Sequence, residues 1–296
     1  MKGRIFKALS RRHFFDWMPD RLYIKLMYYC IMNRKIDLNN PKTFNEKLQW
    51  LKLYDRNPLY TTMVDKYEVK KYVADIIGEE YIIPTIGIYD NFDEIDFNKL
   101  PNKFVIKCTH DSGGVVVCKD KTKLNIEEAR KKINKCLKRN FFYVGREWPY
   151  KNVKPRIIIE EFVEACKDED LNDYKFMCFN GKVKCSFVCT ERRSEDGLKV
   201  TFFDLNWNKM PFERHYPFSK KEIQKPVNYE KMIQLSERLS KGLSFIRVDF
   251  YEANKKIYFG ELTFFPGNGT EEFTPEEWDY KIGEWIKLPE RNKDEK

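Results

Sequence analysis

Lys107 and the turn that follows it are the first residues with the means to do chemistry. Phe104-Val105-Ile106-Lys107-Cys108-Thr109 has the texture of a strand. His110-Asp111-Ser112-Gly113-Gly114 reads as a turn, and Val115-Val116-Val117-Cys118 as the returning strand. A lysine beside a glycine turn suits a nucleotide triphosphate: backbone amides approach phosphate oxygens, and the ammonium neutralises their charge. The spacing is not that of a Walker A loop. An ordinary hairpin tip with an exposed lysine has the same sequence.

The second pattern is Arg247-x-Asp249 and, twelve residues after Asp249, Glu261-x-Thr263. If 246–251 and 256–262 pair as an antiparallel hairpin, Asp249 and Glu261 lie side by side on one face. Two carboxylates among Phe, Ile and Val are not both buried unpaired without cost. A magnesium ion with triphosphate oxygens resolves the conflict, and so does a solvated face with Arg247 as a surface partner. The third pattern is Arg156-Ile157-Ile158-Ile159-Glu160-Glu161-Phe162-Val163, an apolar strand running into carboxylates. Such a strand end can form an adenine pocket, or simply carry solvated charge. The fourth, Pro266-Gly267-Asn268-Gly269, lets backbone approach a ligand closely, as would any tight turn.

The elements that must position these residues are mixed. Residues 1–60 read as helical and aromatic, with a turn-rich break from Asp37 to Asn45. Thr62 to Ile77 reads as one amphipathic helix with Val64, Tyr67, Val69, Tyr72 and Val73 inward. Pro84 and its isoleucine neighbours suggest an extended segment. Ile126–Asn140 and Tyr229–Ser240 read as helices. Asp173–Phe179, Val183–Thr190 and Val200–Asp204 read as strands, as do Ile246–Tyr251 and Lys256–Thr263. Without the regular alternation of a doubly wound sheet, the class is α+β.

Composition narrows the partners. The net charge is +9, but 55 basic residues stand against 46 acidic ones and no basic run dominates, which argues against nucleic acid. No apolar run of about 18 residues is present, so no transmembrane helix is expected, and the basic start, Met1 to Phe15, lacks the continuous apolar centre of a signal peptide. Ile5, Phe6, Leu9, Phe14, Phe15 and Trp17 alternate there with cations, as in an interfacial helix, so peripheral membrane contact is an expectation beside ordinary packing on the domain. None of the eight cysteines forms a C-x-x-C pair, which argues against zinc and for small buried hydrophobes in a reducing cytosol.

The order of the four patterns resembles the ATP-grasp superfamily. Phe44-Asn45-Glu46-Lys47-Leu48-Gln49-Trp50, Asp65-Lys66-Tyr67, Lys107 to Gly114, Asp173-Tyr174-Lys175, Phe203-Asp204-Leu205-Asn206-Trp207 and Arg247-Val248-Asp249-Phe250 are similar to one branch of it, the TupA-like proteins of teichuronopeptide and capsule synthesis. Members of that branch often carry a glycosyltransferase label. The resemblance implies an ATP-grasp fold of two α+β lobes over 61–290, a helical N-terminal region over 1–60 and a polar tail over 291–296. It implies ATP and Mg2+ as cofactors and a cytoplasmic carboxylate–amine ligase of cell-envelope polysaccharide synthesis, at the inner face of the membrane if the N-terminal contact holds. The substrates would be a uronic acid or similar carboxylate and an amino acid or amine.

By the same resemblance, Lys66 and Lys107 bind phosphates, with Lys70 and Lys71 as competitors for the first role. Ser112, Gly113 and Gly114 form the loop closing over them. Glu160, Glu161, Phe162 and Val163 form the adenine hinge. Glu164, Asp168 and Glu169 compete to bind ribose, and Lys209 is a further phosphate ligand. Asp249, Glu261 and Thr263 hold metal, Thr263 standing where the family usually has Asn. Arg247 stabilises the transferring phosphoryl group, and Gly267, Asn268 and Gly269 form a substrate loop. The alternative is a sugar-nucleotide-dependent glycosyltransferase using Asp168-Glu169-Asp170 as its D-x-D acids.

Overall fold

The computed structural model describes residues 1–164, 172–191, 194–195 and 197–290. Its helices are α1 (Lys2–Ser10), α2 (Asp20–Met32), α3 (Phe44–Tyr54), α4 (Leu59–Val64), α5 (Glu68–Ile77), α6 (Ile126–Leu137), α7 (Phe142–Gly145), α8 (Tyr229–Leu239) and α9 (Glu277–Glu284). Its strands are β1 (Thr85–Tyr89), β2 (Phe104–Cys108), β3 (Val115–Cys118), β4 (Ile157–Glu161), β5 (Asp173–Phe179), β6 (Lys182–Thr190), β7 (Lys199–Phe203), β8 (Glu213–Arg214), β9 (Phe245–Ala253), β10 (Lys256–Thr263) and β11 (Phe273–Thr274). The architecture is α+β, with antiparallel sheets.

The small lobe is a four-stranded antiparallel sheet in the order β1-β4-β2-β3. Its two faces follow the period of two. Phe104, Ile106, Cys108, Ile157 and Ile159 pack against Ala129, Ile133 and Cys136 of α6, so Lys107 and Glu160 emerge on the other face. Asn125 caps α6, its side chain accepting from the Glu128 amide at 3.1 Å.

The large lobe is a five-stranded antiparallel sheet in the order β10-β9-β5-β6-β7. Phe176, Cys178, Ile246, Val248 and Phe250 share a core with Met232, Leu235 and Leu239 of α8. The alternate residues, Asp173, Lys175, Phe187, Phe202, Arg247 and Asp249, line a cavity on the opposite face.

One expectation changes, and the helical region over 1–60 divides in its packing. The helix over 62–77 is two helices, because Asp65 interrupts it: its Oδ1 accepts from the amides of Tyr67 at 2.8 Å and Glu68 at 3.2 Å. The Lys66 amide donates instead to Thr109 O at 3.1 Å, which pins Lys66 beside the β2–β3 turn. Val64, Val69 and Val73 are buried as expected, while Tyr67 and Tyr72 are half-buried. The helical region over 1–60 does not pack as one unit. Phe6, Tyr23, Ile24, Met27, Leu38 and Leu53 form a separate cluster, but Phe44, Leu48, Trp50 and Leu51 of α3 enter the large-lobe core. A capping box fixes the start of α3: Thr43 Oγ1 accepts from the Glu46 amide at 3.2 Å, and Glu46 Oε2 from the Thr43 amide at 3.1 Å.

Candidate active site

One wall of the cleft is made of lysines, Lys107 from β2 of the small lobe and Lys66 and Lys70 from the α4–α5 segment, whose Val64, Val69 and Val73 pack in the large-lobe core. Glu160, on β4, is 5% exposed, a burial tolerable for a carboxylate only if it is paired. Lys107 reaches its Oε2 at 2.6 Å and Lys70, on α5, its Oε1 at 2.5 Å. Burial works against the Glu160 charge, but Lys107 and Lys70 outweigh it and hold the carboxyl below its usual range. Lys66 joins them from the α4–α5 break, its Nζ donating to Asp111 O at 2.6 Å. Burial pushes the Lys66 and Lys70 ammoniums down from their ordinary value. Two half-buried ammoniums thus grip one buried carboxylate, with a third lining the same cleft.

The large lobe contributes the opposite balance. In the β9–β10 hairpin Asp249 lies directly across from Glu261, and Arg247 across from Thr263. A bulge between Phe259 and Glu261 shifts the register there. Arg247 grips Asp249 with both arms of its fork, at 2.7 Å each, and reaches Glu261 Oε1 at 2.5 Å. Lys175, across from Asp249 on β5, pairs with Asp249 and with Asp173, the latter at 2.8 Å. Burial raises the Asp249 carboxyl, to about 6, against the pull of Arg247 and Lys175. Glu261 keeps 45% of its side chain open. The surrounding protein pushes its pKa up, but Arg247, Lys175 and Lys66 prevail and bring it to about 2. Thr263 Oγ1 donates to Glu261 Oε1 at 3.0 Å.

Between these walls lies a cleft of about 130 Å³, lined by Lys66, Lys70, Lys107 and Glu160 on one side and Tyr251, Phe259 and Glu261 on the other. A second cavity of about 340 Å³ shares Tyr251 and Glu261 with it and continues over Lys175, Arg247 and Arg214. Phe187, Phe202 and Tyr216 add aromatic surface, and Gly267 and Glu271 close one side. Arg214 is buried, its Nη2 donating to Pro266 O at 2.7 Å and its Nε 3.3 Å from Glu271 Oε2. Glu261 therefore stands where a small cation-rich cleft meets a larger cation-lined, partly aromatic cavity.

The remaining sequence candidates divide. Ser112 and Gly113 are exposed at the β2–β3 turn; Gly113 has φ +101° and no neighbour within 4 Å of a Cβ built on it, leaving room for a ligand. Gly114 is a packing glycine, since a Cβ there would meet Cys136 Cβ at 3.0 Å and Cys108 Sγ at 3.1 Å. Glu161 is exposed, beyond Glu160 on β4, and Phe162 and Val163 are half-buried just after it; none of the three lines the cleft. Glu164 is exposed and pairs with Lys103. Lys71 is exposed and pairs with Asp75 at 2.8 Å. Asp168, Glu169 and Asp170 lie outside the described residues.

Lys209 is placed elsewhere. It sits 3.4 Å from the centre of the Phe218 ring, donates to Ser219 O at 3.1 Å, and lines neither cavity. Asn268 also turns away from the cavity that Gly267 lines. Its carbonyl oxygen and its Oδ1 accept from Lys52 Nζ at 2.9 and 2.5 Å, and Gln49 holds the Asn268 and Gly269 carbonyls at 2.8 Å. Lys52 is fully buried and burial lowers its ammonium to about 7. The loop is thus bolted to α3, and Asn268 anchors it.

Lys175 and Arg214 are the cationic site residues that pattern reading did not assign. Lys175 carried a legible signal, a lysine at alternating spacing from Asp173 in a strand otherwise apolar. Arg214 carried none, because β8 is two residues long and only its pairing with β11 brings it to the cavity.

The arrangement fits magnesium through Glu261. Among the described residues no group of three or more His, Cys, Asp or Glu gathers to hold a metal. Magnesium bound with a triphosphate needs only one or two carboxylates. Arg247 and Thr263 both use Glu261 Oε1, which leaves Oε2 for a cation. Asp249 has both oxygens committed to Arg247 and Lys175, and Thr263 orients Glu261.

The family model described as TupA-like ATPgrasp matches residues 46–287. No curated protein matches the chain. Among solved structures, D-alanine–D-alanine ligase from Bacillus anthracis complexed with ATP is similar at 16% identity and a TM-score of 0.39, over 69% of this chain and 54% of that one. The ATP-grasp ligase PsnB, complexed with a phosphomimetic variant of its minimal precursor, Mg and ADP, is similar at 10% identity and a TM-score of 0.41, over 86% of this chain and 64% of that one. The chain therefore spans between 54% and 64% of the length of these two structures.

Proposed function

This chain belongs to the TupA-like ATP-grasp family, and on that premise we propose that it is an ATP- and magnesium-dependent carboxylate–amine ligase acting through an acyl-phosphate. The observation that carries the reading is the pair of opposed walls: a lysine cluster facing a carboxylate cluster, with Glu261 shared between the cleft and the second cavity.

Lys66, Lys70 and Lys107 supply positive charge for a polyanion in the cleft. Glu160 holds Lys107 and Lys70 in place. Magnesium, held by Glu261 with phosphate oxygens, would neutralise charge on the transferring phosphoryl group. The carboxylate substrate fits the larger cavity, where Arg214, Lys175 and Arg247 offer cations. Its oxygen forms a bond to the γ-phosphorus as the bond to the bridging oxygen breaks and ADP leaves. An amine then attacks the acyl carbon, phosphate departs, and the amine loses its proton. Arg247, fixed by Asp249 rather than free to swing, stays aimed at the junction through both steps.

The resemblance supports a uronic acid or similar carboxylate, an amino acid or amine, and a role in cell-envelope or capsular polysaccharide synthesis. The test is coupled ADP release across a panel of uronic acids, amino acids and amines. ADP formation that requires both a carboxylate and an amine is the expected result. Transfer from a UDP-sugar with no ADP formed would replace this reading with a glycosyltransferase.

A further inference from the structure

The helices α1 and α2 form an antiparallel hairpin. Gly3 packs on the far end of α2, where a Cβ would meet Cys30 O at 3.1 Å. At the other end Phe6 stacks on Phe15 with ring centres 5.0 Å apart, and both meet Tyr23. Phe6 is buried and Leu9 and Phe15 are half-buried, so three of the apolar residues noted in the sequence are spent on internal packing. Phe14, Trp17 and Leu22 at the hairpin tip are not: they are 60%, 75% and 53% exposed. Ile5, on the outer face of α1, is 54% exposed.

Charge distinguishes this patch from scattered surface hydrophobes. Residues 1–15 contain Lys2, Arg4, Lys7, Arg11 and Arg12 and no acid, and all five cations are exposed. Both acids at the tip have hydrogen-bonding or ionic partners. Asp16 pairs with His13 at 2.8 Å and Asp20 with Arg56 at 2.8 Å. The tip is also rigidly seated. Arg146, 1% exposed, donates to Phe15 O at 2.7 Å and Met18 O at 3.2 Å. The neighbouring Gly145 carbonyl accepts from Lys52 at 2.9 Å, the lysine that anchors the 266–269 loop.

We propose that the α1–α2 hairpin tip is a docking surface for an anionic lipid bilayer. Phe14, Trp17 and Leu22 enter the interface, and Arg11, Arg12 and their neighbours meet the headgroups. Exposed aromatics partition to the depth of the headgroups, and clustered cations add an attraction that salt screens. The Arg146–Gly145–Lys52 chain of hydrogen bonds then fixes the orientation of the membrane relative to the loop beside the larger cavity.

Sedimentation of the full chain with phosphatidylglycerol-containing vesicles, against pure phosphatidylcholine vesicles, tests this. The expected result is binding to the anionic vesicles alone, weakened at least tenfold by Phe14→Ser with Trp17→Ser, weakened also by Arg11→Gln with Arg12→Gln, and reversed by salt. Melting temperatures of both double variants should match the unmodified chain, since none of these side chains is buried. Failure to sediment at low salt would overturn the proposal, as would equal binding by the aromatic double variant. A dimer in solution that this variant dissolves would assign the patch to a second copy of the chain instead.

Discussion

The two walls of the cleft solve the burial of charge differently. On one wall Lys107 and Lys70 pair with Glu160 and Lys66 lines the same cleft beside them, and the cations are in excess. In the large lobe Asp173, Asp249 and Glu261 surround Lys175 and Arg247, and the carboxylates are in excess. Lys66 acts across the cleft on Glu261, but the two walls do not otherwise pair with each other. On the proposed reading, a polyanion against the lysines and a divalent cation against Glu261 would complete both. Such unequal charge on two facing walls is what the proposed nucleotide and magnesium would require.

The comparison breaks most visibly at Arg247. Arg247→Ala should lower the rate of ADP release by on the order of 10²–10³, the scale for losing one donor aimed at developing charge. It should also free Asp249, so the melting temperature must be read beside the rate. Next is the lysine wall. Lys107→Met leaves Glu160 with Lys70 alone and should cost on the order of 2–3 kcal/mol in denaturant stability. Lys107→Met combined with Glu160→Gln should recover part of that loss, which a double-mutant cycle reads directly.

The acid limb of the stability curve sharpens the contrast. Glu261 is held at about 2, below its ordinary 4.5. Between those values the unfolded chain takes a proton that the folded chain refuses, so this contribution is complete above 4.5 and is lost as the pH falls toward 2. Glu261→Gln should flatten that part of the melting temperature against pH. The smallest effect belongs to Thr263→Val, which removes one hydrogen bond to Glu261 and should cost about 1 kcal/mol, read as a modest weakening of magnesium-dependent nucleotide binding.

Much of this was legible because it is local. The Asp249–Glu261 pair follows from two strand patterns and the short turn at Asn254, and the register places them directly opposite. Lys107 and Glu160 follow from alternation in β2 and β4. What could not be read was nonlocal. The interruption at Asp65, which delivers Lys66, depends on an amide pairing with Thr109 and on Arg156 reaching Asp65 at 2.9 Å. Asn268 looked like a ligand residue because its loop is rich in glycine, but Lys52, far away in sequence on α3, claims it. Lys209 looked like a phosphate ligand from its place after Asp204, but the Phe218 ring claims it. Arg214 enters through a two-residue strand that no periodicity marks.

The cleft between the lysine wall and Glu261 is the proposed seat of ATP and magnesium. Calorimetric titration of ATP, with magnesium and with a chelator, into the unmodified chain and into Glu261→Ala tests it most directly. Binding should require magnesium and disappear in Glu261→Ala while the melting temperature shows a folded chain. Equal ATP binding by Glu261→Ala, or binding of a UDP-sugar where ATP gives none, would contradict it.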